Sequence, residues 1–270
     1  YGDHRDLHYP LRRQRQMCIR DRLRINNLFI GKPEIFAKFP NVVFGLSKKV
    51  NNTVEDNFNW NMCLSIGDNE EIVVVNREKF FNSLGLTSKN VVIQKQTHSN
   101  IVNIIEKFED NLEGDAFITK TKNLGLAIST ADCTNIYLYD PKENIIAAVH
   151  SGWMGTEKKI LEKTLKILIN KFNVSPKNIY AYFGPSICQA NYEVGGDFLS
   201  IFRKKYLSEK GGRLFLDLKE ANKDMLIENG VPLSQIEISR ICSFENKNFH
   251  SYRRDKNKSG RALGIISLKG

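Results

Sequence analysis

The chain has 270 residues, 41% hydrophobic and 26% charged, which is typical of a globular protein, and no apolar run approaches the roughly 20 residues of a membrane-spanning helix. The net charge of +10 is spread over alternating lysine and glutamate, without a sustained basic run after residue 22, so a nucleic-acid partner is not indicated. Five cysteines at positions 18, 63, 133, 188 and 242 include no C-x-x-C pair, so we expect no disulfide framework and a reducing, cytoplasmic setting.

The first 22 residues differ in composition from the rest of the chain. They hold six arginines and three aspartates, no lysine, and no apolar segment long enough for a secretory signal. We interpret residues 1–22 as a non-native or disordered extension and residues 23–270 as one domain. The alternative is a genuine basic arm, in which His4, His8 and Cys18 would be candidate ligands.

Runs of β-branched residues predict several strands in the middle of the chain. These strands are predicted at residues 91–93, 101–105, 116–118 and 124–129. A polar turn at 94–100 joins the first two strands and carries His98. The fourth strand leads into the sequence TADC at 130–133.

A β-hairpin is predicted next, because two apolar runs flank a Pro-Lys-Glu-Asn turn that follows Asp140. If Asp140 pairs with Ile145, the numbers of antiparallel partners sum to 285. This register places Asn135 opposite His150, with Cys133 two residues further along. Cross-strand Cβ atoms lie about 5 Å apart when directly opposite and about 7 to 8 Å apart on the diagonal. The imidazole and the thiol can therefore converge on one ion.

Two helices are predicted after the hairpin. Gly152 and Gly155 open directly onto the first, whose apolar residues recur at helical spacing. The second begins at Asp217, where Glu220 three residues later completes a capping-box pattern, and it ends before Gly230. The closing strands are predicted at residues 236–241 and 262–268.

His98, Cys133 and His150 are the candidate metal ligands. One thiolate and two imidazoles suit Zn²⁺ and leave a fourth position open for water or substrate, as in catalytic zinc sites. Zinc lowers the pKa of such a water to about 7 and so supplies hydroxide at neutral pH. Two alternatives stay open: the three residues are buried structural groups, or Cys133 is a thiol nucleophile with a histidine as its base.

The sequence SGWMGT at 151–156 follows the last of these ligands. Glycines permit a tight turn, and the amides and dipole of a helix N-terminus favour an anion. A phosphate site beside the metal is therefore our hypothesis. The alternative is a plain strand-to-helix turn in which Trp153 is packed in the core.

Several short motifs follow one another in a specific order along the chain. They are QTH at 96–98, GDA at 114–116, TADC at 130–133, AVHSGW at 148–153, GPSI at 184–187, YEVG at 192–195 and SYRRD at 251–255, with Asn61, Gly67, Asp68, Asn76, Arg77, Gly260 and Arg261 fitting as well. In this order they resemble the YfiH-like laccase-domain family, also called polyphenol oxidases. The resemblance covers nearly everything after residue 40.

The resemblance implies an α+β fold of one domain, with four layers α/β/β/α and mixed sheets. It implies zinc bound by His98, Cys133 and His150. It also implies purine nucleoside chemistry, namely phosphorolysis of adenosine, inosine, guanosine and S-methyl-5'-thioadenosine, together with deamination of adenosine. Nucleosides and phosphate are then the partners. The older family name reflects copper-dependent oxidation of phenols, so copper is the alternative metal.

The chain departs from the family pattern at two places. Residues 48–51 read Lys-Lys-Val-Asn where many relatives have an arginine followed by two glycines, which keeps the charge and loses the flexible glycines. Met154 stands where the family usually has a basic residue, so a cation that would hold phosphate is missing. Arg77 and Arg254 are the candidates to compensate for it.

Five charged side chains complete the predicted site. We expect Lys48, Arg77 and Arg254 to bind and steer anionic groups of the substrates. Asp115 is the carboxylate chosen for proton transfer or for contacts with ribose hydroxyl groups, and Asp132 is expected to orient the neighbouring cysteine. In this scheme a metal-activated hydroxide deaminates the purine ring, or a bound phosphate attacks the anomeric carbon of the sugar.

Three other functions are the alternatives to nucleoside chemistry. A copper oxidase of phenols would need more ligands than the three that are visible. A cysteine hydrolase using Cys133 would lose activity to alkylating reagents and keep it in the presence of chelators. A nucleic-acid binder would show steeply salt-dependent binding, and only the net charge favours it.

Overall fold

Fourteen short strands and several helices make up the regular structure of the described residues. The computed structural model describes residues 29–50 and 58–270, so the extension proposed at residues 1–22 lies outside the described residues. The strands are β1 (Phe29–Ile30), β2 (Val42–Ser47), β3 (Val91–Ile93), β4 (Val102–Ile104), β5 (Ala116–Thr119), β6 (Gly125–Thr130), β7 (Thr134–Asp140), β8 (Ile145–Ser151), β9 (Tyr180–Phe183), β10 (Glu193–Val194), β11 (Leu207–Lys210), β12 (Arg213–Leu216), β13 (Ile236–Ile238) and β14 (Ala262–Leu268). The helices within these residues are α1 (Glu34–Ala37), α2 (Glu70–Ser83), α3 (Trp153–Glu157), α4 (Ile160–Phe172), α5 (Phe198–Ile201), α6 (Leu218–Glu228) and α7 (Tyr252–Asp255).

Two large mixed sheets and one small sheet hold these strands. One large sheet has the order β1-β2-β14-β6-β3, and the other has the order β13-β9-β7-β8-β5-β4. Each large sheet contains both parallel and antiparallel pairs, since β3 is parallel to β6 and β4 is parallel to β5. The small sheet has the order β10-β12-β11 and packs with α5 in a separate apolar cluster. Mixed sheets are what the sequence predicted.

The two large sheets pack face to face, and helices cover their outer faces. Side chains from β2, β6 and β14 meet side chains from β5, β7 and β9 in the central core. The outer face of the six-stranded sheet packs against α4 and α6. The outer face of the five-stranded sheet packs against α2. The predicted four layers, α/β/β/α, are therefore confirmed.

The β7–β8 hairpin lies in the middle of the six-stranded sheet, and both its strands are buried throughout. Asp140 pairs with Ile145 and Asn135 pairs with His150, so the predicted register is confirmed. Along β7, Ile136 and Leu138 face the helices, while the two tyrosines between and after them face the five-stranded sheet. A shift of the strand pairing by one residue would therefore turn the side chains of each core towards the opposite face of the sheet.

The predicted strands on either side of the turn at 94–100 are present as β3 and β4, and they belong to different sheets. Two other local predictions need correction. The helix predicted directly after Gly155 is interrupted at Lys159, whose backbone is left-handed, so that α3 and α4 are separate. Asp217 caps α6 as predicted, but the side chain of Glu220 pairs with Lys223 instead of completing the capping box.

In the part of the chain that the structure describes, no helix combines the length and the apolar character needed to cross a bilayer.

His250 makes the stability of the fold depend on pH. Burial and the nearby Lys49 ammonium lower its pKa to about 3, whereas an unfolded histidine titrates at about 6.5. The unfolded chain therefore takes up this proton first as the pH falls. When the pH falls from about 7.5 to about 5, we expect the protonation of His250 in the unfolded chain to lower the free energy of unfolding by about 2 kcal/mol. Urea unfolding should show a smaller acid-induced loss for His250→Gln, and equal losses in the two proteins would contradict this.

Candidate metal centre

The three predicted metal ligands lie together at one end of the two sheets. His98 comes from the turn between β3 and β4, Cys133 from the turn between β6 and β7, and His150 from β8. One nitrogen of each histidine and the sulfur atom all lie within 4.8 Å of one another. The two imidazole rings are nearly perpendicular, with their centroids 5.0 Å apart. His150 is buried, while the other two side chains are partly accessible.

The buried carboxylate of Asp115 accepts hydrogen bonds from two of these ligands, His98 and His150. Its Oδ1 accepts hydrogen bonds from the backbone N–H of His98 at 3.1 Å and from Nδ1 of His150 at 2.9 Å. Its Oδ2 accepts from the backbone N–H of Ser99 at 2.6 Å, from the Ser99 hydroxyl at 2.7 Å and from the N–H of Thr97 at 3.3 Å. One carboxylate therefore fixes both the turn and the ring.

These hydrogen bonds determine which nitrogen of His150 can bind a metal. Burial raises the pKa of Asp115, but the hydrogen bonds from His150 and Ser99 outweigh it and lower the pKa to about 2. An ionised carboxylate can only accept, so Nδ1 of His150 carries its hydrogen. This leaves Nε2 as the nitrogen that faces the cysteine, the arrangement usual for zinc-binding histidines.

Cys133 and His150 form a charge pair. Burial raises the pKa of the thiol, but the charge and hydrogen bond of His150, with a further hydrogen bond to His98, lower it to about 6. Burial lowers the pKa of His150, while the Cys133 thiolate and the Asp115 hydrogen bond raise it to about 9. The cysteine is therefore a thiolate at neutral pH, which is the form that ligates metals.

Gly152 allows the ligands to approach each other. A Cβ atom added at this position would lie 2.9 Å from the sulfur of Cys133 and 3.2 Å from Cδ2 of His98. Both distances are below ordinary van der Waals contact. The space beside the three ligands thus depends on the missing side chain, which accounts for the first glycine of the SGWMGT sequence.

The backbone around the ligands is held in left-handed conformations that cost on the order of 1 kcal/mol each. His98 has φ of 55° and Asp132 has φ of 89°. The Asp132 carboxylate accepts hydrogen bonds from the Ser243 hydroxyl and from the backbone N–H of Arg253, each at 2.6 Å. These contacts anchor the turn that ends at Cys133, in line with the orienting part expected of Asp132.

The expectation for Asp115 is revised by its surroundings. The side chain is 0% exposed, and both of its oxygens accept hydrogen bonds from within the protein. It is therefore not placed to contact a ribose hydroxyl group or to exchange a proton with substrate directly. Its contacts make it a positioning residue for His98 and His150.

The predicted part of Arg254 in anion binding is contradicted by the structure. Its Nε and Nη2 donate to the two carboxylate oxygens of Asp255. Its Nη1 donates to the carbonyl oxygens of Ser243 and Phe244, and Nη2 also donates to that of Phe249. All five N–H groups of the guanidinium are used, so none is left for phosphate. Arg254 therefore stabilises the loop segments that contain these carbonyl groups.

Arg77 and Lys48 lie in different surroundings. Arg77 donates from Nε to the carbonyl of Met62 at 2.7 Å and lines a groove of about 390 Å³, which none of the three candidate ligands lines. The structure therefore does not bring Arg77 to the predicted site. Lys48 follows β2 at the same end of the sheet as Thr130, the last residue of β6, so its position agrees better with the prediction.

Arg253 lies at the site and was missed by sequence reasoning. Its backbone binds Asp132, and its guanidinium group lies 5.0 Å above the ring of Tyr192. Burial and the negative charge of Cys133 raise the pKa of Tyr192. The sequence SYRRD contains two adjacent arginines, and only their tertiary contacts distinguish them.

The proposed phosphate site at the helix N-terminus is weakened by the interruption of the helix. α3 has only five residues, and α4 begins after Lys159, so the dipole of the long helix does not end at the ligands. Lys158 is a further cation near the centre, since its Nζ donates to the carbonyl oxygen of His98 at 3.4 Å. Trp153 packs against Phe198, as the alternative interpretation expected.

Comparisons with known proteins identify the family of the chain and solved structures with the same fold. The family described as multi-copper polyphenol oxidoreductase laccase matches residues 45–269. A purine nucleoside phosphorylase of Bacteroides thetaiotaomicron is 32% identical over 255 residues, which cover 87% of this chain and 94% of the relative. Adenosine deaminase RL5 of an unknown prokaryotic organism is 33% identical over 228 residues, covering 77% and 87%. The crystal structure of the Bacillus licheniformis hypothetical protein YfiH has a TM-score of 0.83 at 29% identity, covering 90% of this chain and 97% of that chain.

Gly152→Ala is expected to weaken zinc binding by roughly tenfold or more, because the added methyl group would push against the Cys133 sulfur. Competition with a chromophoric chelator measures the affinity. Gly196→Ala is the matched control, since a Cβ at that position meets no atom within 4 Å. Wild-type affinity in Gly152→Ala would contradict the proposed ligand position.

Asp115→Asn should lower zinc affinity by roughly tenfold to a hundredfold, because the ring of His150 would lose the carboxylate that orients it. Asp140→Asn is the control, since Asp140 is likewise a buried aspartate. It accepts a hydrogen bond from the turn of the β7–β8 hairpin, at the end of the hairpin away from His150. The same chelator competition applies. An equal loss in the two variants would show a general effect on the hairpin instead of an effect on the centre.

Proposed function

The chain belongs to the multi-copper polyphenol oxidoreductase laccase family, and from that premise we propose that it is a zinc-dependent purine nucleoside phosphorylase. The proposed substrates are adenosine, inosine, guanosine and S-methyl-5'-thioadenosine, together with phosphate. Deamination of adenosine is proposed as an additional activity. The observation that carries the proposal is the convergence of His98, Cys133 and His150. Relatives named purine nucleoside phosphorylase and adenosine deaminase support the class of enzyme.

The chemistry of the donor set supports zinc. Two imidazoles and one thiolate form a three-ligand group with room for a further ligand, and the histidine on β8 has its second nitrogen bound to a carboxylate. Copper also binds sets of two histidines and one cysteine, so it stays the alternative metal. Among the described residues the third histidine, His250, is buried elsewhere and does not belong to the group, which argues against a centre with several coppers.

The residues around His98, Cys133 and His150 would orient these side chains and keep them in the protonation state that binds a metal. A bound Zn²⁺ would supply Lewis acidity at neutral pH and polarise a substrate oxygen or water. Asp115 holds the proton on Nδ1 of His150, so that Nε2 faces the centre. Asp132, held by Ser243 and Arg253, fixes the direction in which the Cys133 side chain leaves its turn.

Cations beside the group would bind the anionic substrate. Nη1 of the Arg253 guanidinium donates to the carbonyl oxygen of Glu193. Its Nε and Nη2 have no hydrogen-bond partner within the part of the chain that the structure describes, so they are available for phosphate oxygens. Lys158 and Lys48 add positive charge at the same end of the sheets. A phosphate oxygen would then attack the anomeric carbon of the sugar as the bond to the purine nitrogen breaks. In deamination, water would add to the purine carbon that carries the amine, and ammonia would leave.

Cys133→Ala tests the proposal directly. We expect zinc content and nucleoside turnover to fall together, because the only thiolate of the group is removed. Zinc is measured by elemental analysis and products by chromatography, with Cys63→Ala as the control for loss of a thiol elsewhere. Unchanged zinc and unchanged turnover would refute the metal centre. Activity that survives chelators but not alkylation would instead indicate a cysteine hydrolase, and phenol oxidation restored only by copper would indicate an oxidase.

Arg253→Met should raise the KM for phosphate by roughly tenfold to a hundredfold without changing zinc content, since a hydrogen-bonding cation is lost while the metal ligands stay. Arg203→Met removes an exposed arginine that pairs with Glu228 and serves as the control. Steady-state kinetics at varied phosphate gives the comparison. If the KM for phosphate does not change, phosphate binds elsewhere.

A further inference from the structure

A second group of soft ligands lies apart from the centre described above. Cys188, Cys242 and Glu245 each place one donor atom within 4.8 Å of the donor atoms of the other two. We call these three residues the second cluster. None of them belongs to the first group of ligands, and the mechanism proposed above does not use them. Cys242 is buried, Cys188 is partly exposed and Glu245 is exposed, so the second cluster opens to solvent on one side.

The spacing of the second cluster agrees with the size of a zinc ion. The Cys188 sulfur lies 3.7 Å from Oε1 of Glu245. Tetrahedral zinc, with Zn–S of about 2.3 Å and Zn–O of about 2.1 Å, would separate a sulfur and an oxygen ligand by about 3.6 Å. The two atoms therefore already stand at the distance that a shared zinc ion would impose.

A single electropositive group already lies among the three donor atoms. The amide nitrogen Nδ2 of Asn191 is 2.7 Å from the Glu245 oxygen, 3.1 Å from the Cys188 sulfur and 3.6 Å from the Cys242 sulfur. Asn191 thus donates towards all three atoms, while the Cys188 thiol itself donates to Glu245. A divalent cation would satisfy the same three atoms more strongly, and rotation of the Asn191 side chain would make room for it.

The main chain holds the two cysteines in place. The backbone N–H of Cys188 donates to the sulfur of Cys242 at 3.2 Å, a bond that stabilises thiolate charge. Ser186 and Cys242 form an isolated β-bridge, and the N–H of Ser243 donates to the carbonyl of Ser186 at 3.1 Å. The second cluster is therefore built on paired backbone segments rather than on free loop tips.

The charges balance when a divalent cation is included. Two thiolates and one carboxylate carry three negative charges, and Zn²⁺ reduces this to one. Burial lowers the pKa of the Lys219 ammonium group, the charges of the two cysteines raise it, and its Nζ donates to the carbonyls of Ser239 and Ile241. This ammonium group supplies the remaining positive charge, so the metal-bound cluster with Lys219 is neutral overall.

From these contacts we propose that Cys188, Cys242 and Glu245 form a second zinc site, with a fourth position left for water or for the Asn191 side chain. Each of its two cysteine segments is joined to the first centre through Asp132. The N–H of Ile187 donates to the Asp132 carbonyl, and the hydroxyl of Ser243 donates to its carboxylate. Zinc at the second cluster therefore stabilises the turn that ends at Cys133.

Zinc stoichiometry of the full-length protein tests the proposal. The protein is reduced with a phosphine, freed of metal, loaded with Zn²⁺ alone and analysed for zinc after gel filtration. Wild type is expected to hold two ions per chain, and Cys188→Ser, Cys242→Ser and Cys133→Ser one ion each. If the first centre fails, zinc content will not depend on Cys133. If the second site fails, zinc content will not depend on Cys188 or Cys242. The failure of the proposed function and the failure of this proposal are therefore distinguishable.

Two controls complete the experiment. Cys63→Ser removes an unrelated thiol, and a variant with His4, His8 and Cys18 replaced tests the N-terminal segment; both should keep two ions. Loading with Co²⁺ alone provides a spectrum, in which thiolate-to-cobalt absorption should weaken in Cys188→Ser and Cys242→Ser. A single zinc ion per wild-type chain, lost in Cys133→Ser and kept in Cys188→Ser and Cys242→Ser with all thiols reduced, would overturn the proposal. A second ion that remains in both of these variants would overturn it as well.

Discussion

The buried carboxylate of Asp115 is the constraint on which the candidate centre depends. Its two oxygens accept hydrogen bonds from the backbone of the turn at 97–99 and from the ring of His150. A carboxylate without contact to water stays ionised only when several donors replace its hydration, and here the turn supplies most of them. The same bonds hold His98 in its left-handed conformation. One negative charge thus joins a ligand on a turn to a ligand on a strand.

The four-layer architecture explains why the ligands meet where they do. β3 belongs to the five-stranded sheet and β4 to the six-stranded sheet, so His98 lies on a connection between the two. β6 and β7 are divided between the sheets in the same way, so Cys133 also lies on such a connection. His150, near the end of β8, completes the group from the strand that pairs with β7. The site is therefore formed where the chain passes twice between the two layers.

The sequence alone predicted the parts of the site that depend on local pattern. The hairpin register followed from alternation and a four-residue turn, and it brought Cys133 and His150 together correctly. The family motifs predicted the four layers and the position of His98. The tasks of Asp115 and of the two adjacent arginines could not be predicted, because they depend on which backbone groups come from distant segments. The guanidinium of Arg254 is fully used by the Asp255 carboxylate and three carbonyl groups, whereas that of Arg253 lies over the ring of Tyr192.

Product analysis with inosine tests zinc-dependent phosphorolysis directly, using chelator-treated protein before and after zinc is restored, with and without phosphate. If the group of His98, Cys133 and His150 serves phosphorolysis, hypoxanthine and ribose 1-phosphate will appear only when zinc and phosphate are both present. Turnover that persists without metal would contradict the zinc-dependent mechanism, and hypoxanthine released equally without phosphate would contradict phosphorolysis.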